Sequence, residues 1–437
     1  MTGLLTTCGD QFHDWSAAYR LFSKDRLPVP EIFGTVRRAV AAQLAADAPF
    51  RAVIDDTLLR RAGLRTPGVA WRRDPLGPHF QTNLVRAQRF LQISAALPGT
   101  ADDHRLIPIS FLHAPTPRKP SPKASSADRE QYRLHQLECR LSQRACHQIL
   151  QLRQDLNSDP DGAQRLLVMA FDGGFTNATV LKNIPPRTVY IGRIRKDAKL
   201  CFPPDPALRK PRGRRTRYGS DAPTPEQVRQ DDFQPWETMS FQHSGVTHQL
   251  RFKRISNLMW RIAGAEALLQ LVVIAPLGYR HRQAGRLLFR DPAYLICTDP
   301  AMDPRQIINT YFERWDIEVN FREEKTLLGV GQAQVRAETS VESAPALTVA
   351  SYAMLLIAAR QAFGNSSHGL LPQPKWADSS KNSRVSTQRL LHQLRAEVWG
   401  RGLGLQSFSG FAPNHDSITK PTKSFFPLDS AVFYANG

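Results

Sequence analysis

Apolar residues recur along this chain with two different periods, and the period changes several times. From Ile32 to Leu44 the run IFGTVRRAVAAQL has the three- and four-residue spacing of an amphipathic helix, and residues 1–50 read as mainly helical. At Arg51–Asp55 the pattern becomes RAVID, a short apolar strand that ends on an acid. Further strands are expected around Val69–Trp71, Ala87–Leu97 and Leu106–Leu112. The segment His113–Ser126, HAPTPRKPSPKASS, is rich in Pro, Ser and Lys and reads as an exposed loop. After it, Leu134, Leu137, Leu141, Ala145, Ile149, Leu152 and Leu156 step by threes and fours. That spacing predicts one helix over Asp128–Asn157 with Asp128 as its N-cap. The run RLLVMAFDGG (Arg165–Gly174) is a continuous apolar strand closed by Asp172 and a Gly-Gly turn. A short helix from about Asn177 to Asn183 and the strand TVYIGRIR (Thr188–Arg195) follow it.

From Asp197 to Arg290 the character shifts. Pro, Arg and Gly dominate first, then β-like runs appear (TMSFQHS, THQLRFKRI, LLQLVVIAPL). The α/β pattern resumes with AYLICTD (Ala293–Asp299), a long helix Pro304–Leu328 and an apolar helix Ala344–Phe363. The remainder is Ser-, Pro- and Lys-rich, with one helix near Thr387–Val398. The chain therefore divides into a helical N-terminal segment (1–50), an α/β core in two parts (51–196 and 291–365), a basic β-rich insertion (197–290) and a weakly patterned C-terminal tail (366–437).

Charge changes the picture more than composition does. The chain holds 58 Lys and Arg against 39 Asp and Glu, a formal net charge of +19, which attracts polyanions and points to nucleic acid ahead of an anionic membrane surface. Residues 182–217 alone carry twelve Lys or Arg and two acids, Asp197 and Asp205, including the cluster RKPRGRRTR at Arg209–Arg217. No run approaches about 18 uninterrupted apolar residues, so no membrane span is expected, and the N-terminus lacks the pattern of a signal peptide. Both readings place the protein in the cytoplasm. Cys8, Cys139, Cys146, Cys201 and Cys297 are scattered without a Cys-x-x-Cys pair, which argues against disulfides and zinc, and the twelve His show no metal-binding spacing.

The candidate chemistry lies in carboxylates. Asp55 and Asp172 each close an apolar strand, where a side chain can be held at a fixed distance from one on a neighbouring strand. Taken singly, either reads first as an ordinary turn residue. The helix text YFERWDIEVNFREEK adds a third acid: at about 100° per residue Tyr311, Arg314, Glu318, Arg322 and Lys325 share a face about 80° wide. Ile308, Phe312, Trp315 and Val319 form the adjoining apolar stripe, with Trp315 as packing. A solvated charged face with incidental i,i+4 pairs such as Arg314–Glu318 accounts for the same spacing.

The spacing Tyr311-x2-Arg314-x3-Glu318-x6-Lys325 resembles the Y-x2-R-x3-E-x6-K signature of a large group of bacterial insertion-sequence transposases of the DDE type. AVIDDTLLRRAGLRTPGVAWRRDP is similar to their block around the first Asp, and VMAFDGGFTNATVLKNIPPRTVYIGRIRKDAKL to the second. The likeness covers about residues 50–200 and 290–360, with room between for the β-rich insertion that several members carry. It implies an RNase H-like mixed sheet flanked by helices, with helical N- and C-terminal segments. Asp55, Asp172 and Glu318 would form the catalytic triad, binding two Mg²⁺ ions about 3.5–4 Å apart, with Mn²⁺ as a substitute. Asp56 is a rival for the first position. The resemblance further implies that Tyr311, Arg314, Arg322 and Lys325 contact DNA phosphates and that the partners are transposon ends and target DNA. It implies a homodimer in the DNA complex and nucleoid association when bound. Many relatives place a larger DNA-binding region before the first Asp than the 54 residues found here, while the triad and signature are intact, which implies an active core. Trp236 and Trp260 are read as core residues or as platforms for an unpaired base. A nuclease that cuts without joining, and a silent DNA-binding descendant, are the alternative readings.

Overall fold

The computed structural model describes residues 12–402 apart from 25, 64, 76, 79, 98–103, 206–215, 244–245, 265–266, 281–284 and 365–384. Residues 1–11 of the N-terminal segment, most of the Arg209–Arg217 cluster and all of the C-terminal tail but 385–402 therefore lie outside the described residues.

Among these residues one sheet of ten strands organises the molecule. Its first strand, β1 (Phe50–Arg60), does not end at Asp55 as the apolar pattern suggests. The reason is its partner β3 (Leu84–Leu97), which pairs antiparallel from Ala52↔Ala95 to Arg60↔Ala87. A strand with a complete hydrogen-bonding partner tolerates polar residues that its own sequence would not recommend. On the far side β3 carries β2 (Ala70–Arg73) and β4 (Arg105–His113). The other edge of β1 pairs parallel with β5 (Leu167–Phe171), and β5 pairs parallel with β6 (Thr188–Arg193).

The three longer strands of the basic middle segment form no separate sheet. β7 (Glu237–His243), β8 (Val246–Leu258) and β9 (Leu269–Ile274) continue the same sheet through β12 (Ala293–Cys297), which joins β9 to β6 antiparallel. A two-stranded ribbon, β10 (Gly278–Tyr279) and β11 (Leu288–Phe289), stands apart.

Helices cover the sheet. On one face, α2 (Val29–Ala41), α4 (Leu141–Asn157) and α9 (Glu338–Phe363) bury Val36, Val40, Ile149, Leu152, Tyr352 and Leu356 against Phe50, Ala52 and Ile54 of β1. On the other, α7 (Pro304–Glu313) buries Ile307 and Ile308 against Val168, Val189 and Ile191, and α8 (Asp316–Thr326) buries Ile317 and Phe321 against Val53 and Ala170. This is a mixed sheet flanked by helices, the RNase H-like α/β architecture. Short helices α1 (Ser16–Ser23), α5 (Ala178–Lys182) and α6 (Pro225–Gln230), with α10 (Thr387–Gly402), complete the described elements.

Three helix expectations are corrected. The helix expected over Asp128–Asn157 is two, α3 (Ser126–Glu138) and α4, broken at Arg140, whose ψ of 136° is not helical. Its N-cap is Ser125, and Asp128 is the third residue of a capping box that returns a bond to the Ser125 N–H. The apolar helix begins at Glu338 rather than Ala344 and runs through Pro345. It is long and apolar enough to cross a membrane by length and composition, yet over half of that apolar stretch is buried within the protein. The third correction, at Arg314–Trp315, belongs to the site. Cys139, Cys146, Cys201 and Cys297 are free thiols.

Candidate active site

The parallel pairing of β1 with β5 runs only from Phe50↔Leu167 to Val53↔Ala170, and β5 ends at Phe171. Beyond Val53 that edge of β1 is open. Extending the register by two residues puts Asp55 level with Asp172, the first residue past β5. Alternate strand residues share a face. Val53 packs under Ile317 and Phe321, so Asp55 looks toward α8, whereas Asp56 turns to the opposite side and ion-pairs with Arg89 at 3.1 Å. The side chain of Asp55 is only 17% exposed. Burial, reinforced by the charge of Asp172, pushes its carboxyl up to about 7, against the opposing pull of the Asp56 N–H and of Arg314.

Asp172 is held by the turn that follows it. Its Oδ1 accepts from the Gly174 N–H at 2.8 Å and its carbonyl accepts from Thr176 Oγ1 at 2.9 Å. Asn177 then caps α5 by accepting from the N–H groups of Thr179 and Val180. Gly192 of β6 lets this turn close, because a Cβ there would lie 2.3 Å from Thr176 Oγ1 and 2.8 Å from the Phe171 ring.

Glu318 comes from a helix that is not continuous. Around Arg314–Trp315 the N–H groups of Arg314, Trp315, Ile317 and Glu318 bond to carbonyls three residues back, a tightened 3₁₀-type turn between α7 and α8. Such a turn advances about 120° per residue, so a stripe extrapolated at about 100° drifts off course. Of the expected apolar stripe only Ile308 is buried. Phe312 is exposed, Val319 is half-buried, and Trp315 is 61% exposed rather than packed. Ile307, Ile317 and Phe321 do the burying instead.

Arg314 joins the acids. Its Nη1 donates to Asp55 Oδ2 at 3.4 Å and its Nη2 to Glu318 Oε1 at 3.0 Å, so the two carboxylates face each other across one guanidinium. The same guanidinium lies 5.8 Å from the centre of the Tyr311 ring. Tyr311 is half-buried; burial raises its hydroxyl pKa, opposed by Arg314 and Arg193, and the charge of Asp172 reaches it. Arg322 is exposed. Lys325 lies 5.9 Å above the Phe321 ring, and burial lowers its ammonium pKa. Arg193, Arg195, Lys196 and Lys199 are exposed at the end of β6, next to Asp172 in the sheet.

Behind Glu318 lies a buried polar network that a helical wheel does not reveal. Asn320 donates to Ser94 Oγ at 3.2 Å and to the Leu106 carbonyl at 3.0 Å. Glu323 accepts from Tyr352 Oη of α9 and Thr387 Oγ1 of α10, each at 2.5 Å. Glu324, 1% exposed, meets Gln92, the residue opposite Asp55 in the β1–β3 register, and burial pushes its carboxyl up to about 8. Periodicity alone treats three polar residues in five positions as a wet face. Trp236 and Trp260, each open to two readings from sequence, both pack against the main core, and Trp236 is further covered by Lys253 at 4.5 Å.

A divalent metal at this site finds the right donor chemistry. Asp55, Asp172 and Glu318 offer only hard carboxylate oxygens, and the Asp55 carboxyl is raised first by burial and then by the charge of Asp172, a cost that a cation bound there would offset. Among the described residues no three His, Cys, Asp or Glu side chains stand at ligating distance, and Arg314 holds the place between Asp55 and Glu318. The residues fit a cation once that guanidinium moves aside.

An RNase H-like sheet carrying level aspartates, covered by an acidic helix and edged by arginines, defines a nuclease-type enzyme acting on DNA. Residues 13–262 match the model of the DDE superfamily endonuclease family, more than half of the chain, and the chain belongs to that family. The match includes Asp55 and Asp172 and ends before α7 and α8. None of the curated proteins compared with the chain matches it.

Proposed function

We propose that this chain is a DDE transposase that cuts DNA at the ends of an insertion sequence and joins the freed end to target DNA. The observation that carries the reading is the convergence on one face of the sheet of Asp55, level with Asp172, and Glu318, linked to Asp55 through Arg314. Asp55, Asp172 and Glu318 would hold Mg²⁺, with Mn²⁺ as a substitute. Bound there, a pair of ions supplies activation of a water or 3′-hydroxyl and stabilisation of the departing oxygen.

The chain's own residues do the rest. Arg314 neutralises Asp55 and Glu318 before DNA arrives and is placed to pass to a phosphate as the acids take up other positive charge. Tyr311 lies beside it, and Lys325 and exposed Arg322 carry the cationic row along α8. Asp56, tied to Arg89, keeps the strand in place. The protein acts as a homodimer on DNA, each subunit cutting the end held by its partner.

Glu318→Gln is the direct test. Mg²⁺-dependent nicking and joining should vanish while DNA affinity, read by anisotropy without metal, stays within about twofold or rises, since a repelling charge is removed. Persistent cleavage in that variant overturns the triad. Nicking by the wild type without joined products reduces the enzyme to a nuclease.

A further inference from the structure

We propose that the β2–β3 hairpin is a binding site for an unpaired DNA strand, with Trp71 as its stacking platform; this rests on the DNA-acting reading above. Residues 60–89 hold seven arginines, Arg60 and Arg61 among them, and a single acid, Asp74. Asp74 is taken by Arg60 at 2.8 Å, Arg89 by Asp56, and Arg61 bonds the carbonyls of Gly331 and Ala333. Arg65 and Arg73 remain exposed.

Among these cations stands Trp71, 66% exposed on a short strand. It pairs in register with Arg86, whose guanidinium lies 5.9 Å from the ring centre and is oriented by the carbonyls of Ala62 and Gly63. Nearby Phe80 is 93% exposed. An aromatic that serves packing buries its surface; this one offers a ring with oriented positive charge over one face and the other side open, the combination that takes a nucleobase and its phosphate together. Bases within a duplex are stacked on one another, so the partner that fits is a separated strand.

The hairpin is continuous with the candidate active site. Lys325 at the end of α8 feels the charge of Arg60. Arg60 pairs with Ala87, Ala87 pairs with Ala70 on its other side, and Trp71 is next. Along β3, Gln92 lies opposite Asp55 and Arg86 opposite Trp71. Those six residues span about 20 Å at about 3.4 Å each, within reach of a few nucleotides of strand peeled from the reacting end.

The test compares, by anisotropy without metal, a blunt duplex and the same duplex bearing a single-stranded tail of about eight nucleotides. The wild-type chain should prefer the tailed duplex by about tenfold. Trp71→Ala should abolish the preference and leave the blunt affinity unchanged, and Trp71→Phe should retain most of it. Phe233→Ala, removing a fully exposed aromatic elsewhere, should behave as wild type. A wild type without preference, or a Trp71→Ala variant that keeps it, overturns the site. Mg²⁺-dependent nicking is scored separately: nicking without tail preference sinks the hairpin alone, and a Trp71-dependent preference without nicking sinks the enzyme reading alone.

Discussion

Asp55 and Asp56 are chemically identical neighbours, and the pleat of β1 sends them to different duties. Asp55 faces α8 and Arg314, and Asp56 faces Arg89. Asp55→Asn is therefore expected to reduce Mg²⁺-dependent nicking to background. Asp56→Asn should slow it less than tenfold and cost about 0–1 kcal/mol, the worth of a partly exposed ion pair, read by urea unfolding. Glu324 makes a different prediction. Its folded pKa, about 8, stands above the ordinary value of 4.5, so the native state binds the extra proton between those limits. Stability falls as pH rises from about 4.5 through about 8, because burying the charged form is what costs. Glu324→Gln, neutral throughout, should flatten that part of the Tm–pH profile; an unchanged slope in the variant would remove Glu324 as its cause.

At the scale of elements, α8 is held from both sides. Ile317 and Phe321 anchor it to the sheet, and Glu323 ties it to α9 and α10 through Tyr352 and Thr387. A helix from the weakly patterned C-terminal stretch thus braces the helix that carries Glu318. Tyr352→Phe or Thr387→Val withdraws one donor from a buried carboxylate and should each cost about 1–3 kcal/mol in chemical unfolding. The two together should fall short of or exceed the sum of the singles, since both donors serve one oxygen. Strict additivity would argue that the brace is not shared. The expected long helices break at Arg140 and at Arg314–Trp315 for related reasons. Apolar spacing does not register a break: Leu134 and Leu137 before Arg140 keep the step of Ile149 and Leu152 yet stay exposed, and a single turn of tighter winding leaves no mark on composition.

Across the whole molecule the balance of +19 makes DNA affinity an ionic-strength effect. Affinity for duplex DNA should fall steeply with salt. Replacing Arg322 and Lys325 by Gln should flatten the log–log slope by about 1–2, about 0.9 for each phosphate that is no longer neutralised. A slope identical to wild type would mean that this row of α8 does not meet the backbone. The same scale explains why the basic middle segment reads as a domain in the sequence. Its composition changes abruptly, but hydrogen bonding does not: β12 carries β9, β8 and β7 onto the edge of β6, and the sheet runs on without a break.

Most strand positions, the α/β alternation and the exposed Pro-rich loop were legible in the sequence, because burial imposes its period locally and punctuation residues mark where it stops. Which of two adjacent aspartates faces α8, that β5 halts level with Asp55, and that Arg314 bridges two carboxylates depend on partners from 100 to more than 250 positions away. The polar residues buried behind Glu318 answer to partners 29 to more than 220 positions away, and the exposure of Trp315 and Trp71 is likewise set by the packing around them. A side chain's neighbours along the chain disclose its period; only cross-strand register and helix docking determine what stands opposite it, and the chemistry depends on that opposition.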